Sequence, residues 1–169
     1  MVIFLTEGAM LDWGALLMTE TKGVSMEMAG FGYVAFALAM TISRFIGDRL
    51  VARLGEKNAL FAGIALTGLG VALVSASSTF AVALAGMTLT GFAAGNVVPV
   101  LFTMAGRQRV MPAALAIASA SILGYLGVLM GPALVGYVAH SLSLTGAFYG
   151  VAAVVLVMLV AVKPISRAG

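Results

Sequence analysis

Six long apolar runs, separated by short clusters of charged and small residues, account for nearly the whole of this 169-residue chain. A helix needs roughly 20 apolar residues to cross the ~30 Å hydrocarbon core of a bilayer. The runs predict helices over about 2–20, 28–47, 58–76, 80–106, 113–139 and 145–162. Strands of a membrane barrel alternate apolar and polar residues over about ten positions. These runs are continuous and rich in Ala, Leu, Met and Gly, so the pattern predicts an all-α polytopic protein with one six-helix transmembrane domain.

The polar positions between the runs set its orientation. Arg49, Arg53 and Lys57 fall between the second and third runs, with Arg44 at the inner edge of the second. Arg107 and Arg109 fall between the fourth and fifth, and Lys163 and Arg167 follow the sixth. The alternate loops hold only Lys22, flanked by Glu20 and Glu27. Basic residues gather on the cytoplasmic side of membrane proteins, so the expectation is a multi-pass inner-membrane protein with both termini cytoplasmic.

Composition agrees with this pattern. Hydrophobic residues make up 62% of the chain and charged residues 9%, where a soluble domain carries about a quarter charged. The net charge of +3 comes from loop residues that orient helices, so no nucleic-acid partner is implied. With no cysteine there is no disulfide framework and no thiolate metal site. No metal or cofactor site is expected, and the N-terminus does not read as a signal peptide.

Small residues mark where helices should meet, because lipid gives helices little hydrophobic drive to associate and close backbone approach supplies the contact instead. Ala116, Ala120, Gly124, Gly127 and Gly131 follow steps of three and four along one face of the fifth helix. Gly91 and Gly95 form a Gly-x-x-x-Gly pair in the fourth, and the third offers Gly63, Thr67 and Gly70. Packing alone accounts for these stripes.

The stretch FLTEGAMLDWGALLM places Glu7 and Asp12 in the first helix. A charged acid at the centre of a membrane helix costs about 2.5–3.5 kcal/mol, so each should face the bundle interior, a water cavity or a partner. They lie about 140° apart around the helix and do not share one face. If the span begins near Val2, Asp12 lies roughly 15 Å in, near the midplane. It is then a candidate proton- or substrate-coupling acid, or a structural acid bound to a neighbouring helix. Trp13 beside it is a candidate sugar-stacking or packing ring. Glu7 is placed nearer the cytoplasmic surface, free to snorkel or to pair with a basic loop residue.

Asn96 lies three residues before Pro99, which lacks an N–H and frees the carbonyl of Gly95. Either the opened helix exposes that carbonyl to a cavity, or the kink is packed with Asn96 hydrogen-bonded between helices. Tyr125 and Tyr137 line a cavity or pack, and His140 sits at the outer end of the fifth helix. Arg44 either snorkels or pairs with Asp48 four residues on.

The loop RFIGDRLVARLGEKN, residues 44–58, resembles the signature of the major facilitator superfamily between the second and third helices of each half, Gly-x-x-x-Asp-Arg/Lys-x-Gly-Arg/Lys-Arg/Lys. Arg53, Gly55 and Lys57 match its later positions. Its central Asp falls on Ala52 and its opening Gly on Asp48, with Gly47 one residue early. GNVVPVLFTMAGR and GYLGVLMGPALVGYVAH, the latter carrying Gly131-Pro132, resemble the fourth and fifth helices of a half. Together with EGAMLDW they resemble the fucose-permease-like bacterial branch.

That resemblance implies an alternating-access secondary transporter with two six-helix halves, each a 3+3 inverted repeat, and a gating role for Arg44, Gly47, Asp48, Arg49, Arg53, Gly55 and Lys57. It implies a small-molecule substrate, a sugar or other small polar solute, moved in either direction; proton coupling is the expectation that Asp12 adds. The expected partners are the lipid bilayer and a second six-helix half, the chain resembling the C-terminal one. A second copy, another chain, or the rest of a longer carrier supplies that half, and a piece of a longer carrier is the expectation. The alternative is a transport-inactive fragment or assembly protein that needs a partner half. No Gly-x-Ser-x-Gly nucleophile, repeated ion filter or phosphate-binding Gly-rich loop argues for an enzyme, a channel or an ATP-driven pump.

Overall fold

The computed structural model describes residues 1–167, with side chains through Val160. Six helices follow one another: α1 (Val2–Lys22), α2 (Met26–Leu54), α3 (Glu56–Ala76), α4 (Phe80–Arg107), α5 (Ala113–Ser141) and α6 (Leu144–Arg167). The first five are long and apolar enough to cross a membrane, and α6 is apolar throughout Leu144–Val160. The side chains of Lys163 and Arg167, expected among the basic residues, lie outside those described.

Helix ends differ most from expectation around residues 44–58. These residues do not form a loop, because α2 runs on to Leu54 and α3 begins at Glu56. The polar residues end the apolar run without ending the helix, since Arg, Asp, Leu and Ala all sustain helical backbone. The break comes at Gly55, whose φ of 79° lies in the region that a Cβ disfavours. At the other end of the bundle Gly23, with φ 65°, closes α1 in the left-handed conformation that commonly ends helices. Ser25 then caps α2 by accepting from the Met28 N–H at 3.3 Å.

Two side-chain ties hold the ends of the bundle. Arg107 pairs with Glu56 at the basic end, and Lys22 donates to the Ser77 carbonyl at the far end. The alternation of the basic clusters along the sequence is therefore an alternation in space.

α4 is the spine. Its Gly91 and Gly95 press on the backbone of α2 at Phe36 and Met40, while Gly86 and Thr90 meet Gly70 and Val74 of α3. On the other side of the molecule, Gly124, Gly127 and Gly131 of α5 admit Phe4, Met1 and Leu5 of α1. The small-residue stripes thus do what the sequence suggests: they set close helix pairs. Between them lies a core in which Met10, Leu17, Met18, Ile64, Met87 and Phe148 are fully buried.

Candidate functional site

The register of α1 against its neighbours decides how deep its two acids lie. Lys22 marks the far end of the bundle through its contact with Ser77. Asp12 lies ten residues back, about 15 Å, and Glu7 fifteen residues back, about 22 Å. Glu7 therefore lies nearer the basic end than Asp12. At the start of α1 the Met1 carbonyl abuts Gly127, fourteen residues and about 21 Å inside α5.

The surroundings of the two acids differ. Glu7 is partly buried, its Oε1 is shielded from solvent with no hydrogen-bond partner, and Arg44 of α2 is near enough for its charge to act on it. Asp12, in contrast, is exposed, as is Leu11 beside it. An acid at that level needs water or a partner group against it, so the open face of α1 is one that this six-helix unit does not itself cover.

Next to Arg44, a cavity of about 390 Å³ opens between α2 and α4. Arg44, Gly47, Asp48 and Ala52 form one wall; Asn96, Pro99, Thr103 and Arg107 form the other, with Glu56 at the basic end. Arg44 and Asp48 share this wall without an ion pair between them among the described residues.

Asn96 closes the inner end of the cavity. Its Nδ2 donates to the Ser43 carbonyl at 3.0 Å and to Ser43 Oγ at 2.5 Å, and Ser43 Oγ donates to the Phe92 carbonyl at 2.5 Å. Of the two readings of the Pro99 kink, the packed one is what forms. Gly47 belongs to the same joint, since a Cβ there would stand 2.0 Å from Asn96 Oδ1. Sequence reasoning missed Ser43. The signal was available, because Ala39, Ser43 and Gly47 are spaced by four along an otherwise bulky helix and are all buried.

Trp13 does not face the cavity. Its indole N–H donates to the Pro132 carbonyl at 3.1 Å, and its ring lies where a Cβ on Gly136 would be 2.9 Å away. One turn earlier Gly8 meets the Val128 carbonyl, the group that Pro132 leaves without its helical donor. Trp13 and Gly8 therefore pack against α5 around Pro132, one of the two roles expected of the ring. Tyr125 is exposed and touches Phe4, ring centroids 6.4 Å apart, while Tyr137 and His140 are exposed and remote from the cavity.

Of the basic residues in the signature stretch, Arg44 faces the cavity and Arg49 and Arg53 do not; they line a separate groove on α2. Gly55 makes the turn, and Lys57 opens α3 just beyond it. Among the described residues no cluster of His, Cys, Asp or Glu could hold a metal ion.

Six consecutive helices, five of them long and apolar enough to cross a membrane, define a polytopic membrane protein. The chain belongs to the major facilitator superfamily, whose family model matches residues 2–168. It is 44% identical over 166 residues to an MFS-type transporter of Yersinia pestis, covering 98% of this chain and 43% of that protein. It is 30% identical over 149 residues to the membrane protein MosC of Rhizobium meliloti, covering 88% and 37%. To a transporter of Sinorhizobium fredii the identity is 32% over 146 residues, covering 86% and 38%. The chain thus spans about two fifths of the length of the curated relatives it matches. Its family is one of multi-pass membrane transporters rather than enzymes.

Proposed function

We propose that this chain is the C-terminal six-helix half of a proton-coupled secondary transporter for a small polar solute, of the fucose-permease-like branch. It sits in the inner membrane with both termini cytoplasmic and works against a second six-helix half across the open face of α1. The observation that carries this reading is the cavity walled by Arg44, Asp48 and Asn96, with the shielded, unpartnered Oε1 of Glu7 within reach of the charge of Arg44. A half-buried carboxylate beside a cation can exchange a proton for an ion pair as the cavity opens and closes, which is what coupling requires. In this reading Glu7 is the coupling acid. Asp12 faces the second half, and Tyr125 lies on the exposed side of α5 where that half or lipid covers it.

The short span relative to the family favours a second reading, in which the chain alone is transport-inactive and needs its partner half. Both are tested in proteoliposomes loaded with a pH-sensitive dye. They contain the chain alone, or the chain with the first half of the Yersinia pestis relative, and are challenged with L-fucose and other neutral sugars. The expected result is sugar-driven proton uptake only when both halves are present. Glu7→Gln should abolish proton uptake while sugar exchange persists, and Asp12→Asn should slow both. Full proton uptake by Glu7→Gln overturns the coupling role, and uptake by the chain alone overturns the need for a separate half.

A further inference from the structure

Three sectors can be told apart around α2. Ala29, Gly32, Phe36, Ala39, Ser43 and Gly47 are buried. Arg44 and Asp48 flank that stripe on the cavity side. The opposite flank is an exposed apolar column, Phe31, Leu38, Ile42 and Phe45, that ends abruptly in Arg49 and Arg53. The steps of seven, four, three, four and four keep all six on one helical face. Phe45, 85% exposed, stands directly before the first guanidinium.

The column fits hydrocarbon, and its end fits an anion. Arg49 and Arg53 sit one turn apart, about 6 Å along the axis, and with Ile46 and Leu50 they line a groove of about 210 Å³. Neither has an ion pair among the described residues. Two forked guanidiniums at that spacing suit one phosphodiester, whose oxygens accept paired N–H bonds. Asp48 points to the cavity flank, so this side offers no carboxylate to an ammonium headgroup. That chemistry selects a lipid with net negative charge over a zwitterionic one.

We propose that this flank of α2 is a binding site for an anionic phospholipid, its phosphodiester held between Arg49 and Arg53 and its acyl chains laid along Ile42, Phe45 and Ile46. The site is independent of the transport reading, since it uses the face of α2 turned away from the cavity. It assigns two basic residues of the signature stretch to the bilayer and leaves Arg44 to the transport path.

The test is native mass spectrometry of the protein released from nanodiscs made of equal parts phosphatidylglycerol and phosphatidylethanolamine. The wild-type protein should retain phosphatidylglycerol in preference. Arg49→Gln and Arg53→Gln should each lower that retention by about fivefold. Arg109→Gln, which removes a cation at the same end, should leave it unchanged. Equal retention of both lipids, unchanged retention in the double variant, or an equal loss in Arg109→Gln overturns the proposal. Circular dichroism checks that the variants are folded. Should the double variant not fold, a salt titration of the wild type decides: phosphatidylglycerol retention must fall with ionic strength, and retention indifferent to salt overturns the site.

Discussion

Replacing Gly91 by alanine asks how closely α2 and α4 are fitted. The added Cβ would stand 2.1 Å from the Phe36 carbonyl oxygen and 2.9 Å from its carbon. Close carbon–oxygen contacts settle at about 3.3 Å, so roughly 1.2 Å must be found. Both colliding groups are helix backbone, so no side chain can turn aside and the helices must part. Opening the seam by ~1 Å forfeits a quarter to a half of each contact's dispersion energy. It also stretches the 3.0 Å bond from Asn96 to the Ser43 carbonyl to about 4 Å, beyond hydrogen-bonding distance. Overpacking of this kind costs about 1–3 kcal/mol and the lost bond about 1 kcal/mol, about 2–4 kcal/mol together. For a chain of this length each kcal/mol moves the melting temperature about 2–4 °C, which predicts a fall of about 5–15 °C. Gly30→Ala is the control: no atom lies within 4 Å of its Cβ position, and alanine favours helix by about 0.5–1 kcal/mol. Melting is followed by far-ultraviolet ellipticity in detergent. If Gly91→Ala melts alongside Gly30→Ala, the α2–α4 seam is not the tight joint described.

Three further outcomes are expected. Trp13→Phe keeps the ring against Gly136 but loses the bond to Pro132, so stability should fall by about 1 kcal/mol, visible as a melting shift of a few degrees; no shift would show that the indole N–H is dispensable. Ser43→Ala and Asn96→Ala should be non-additive by about 0.5–3 kcal/mol in a double-mutant cycle, because each removes the partner of the other, and additivity would separate the two residues. Arg107→Gln should cost less than about 1 kcal/mol, its ion pair with Glu56 being largely exposed, and a larger loss in a melting experiment would reveal a buried tie at the basic end.

Helix number, order and the alternation of basic clusters were legible in the sequence, because length and hydropathy fix what can cross a bilayer. The small-residue stripes were legible too, since only glycine lets the Phe36 carbonyl come so near α4. Which of the two acids is shielded was not. Glu7 and Asp12 face different sides of α1, and which side is covered depends on pairs such as Met1 and Gly127 that are far apart in sequence. The joint of Ser43, Gly47 and Asn96 was half visible: Asn96 stood out as a polar residue in an apolar run, whereas Ser43 reads as a small helix residue until its partner is known. The signature stretch misled in one respect. Its charges suggested a loop, yet a helix continues through any residues that sustain it, and only Gly55 stops this one.

The bond from Trp13 to the Pro132 carbonyl joins residues 119 apart in the chain, which gives α1 a particular history during synthesis. At about 5–20 residues per second, Pro132 is made roughly 6–24 s after Trp13. For that interval α1 is without the helix whose Gly124, Gly127 and Gly131 admit Phe4, Met1 and Leu5. The α1–α5 seam is therefore among the later contacts of these six helices to form. Substitutions that weaken the α1–α5 seam should lower the amount of protein made more than the stability of what has already been assembled.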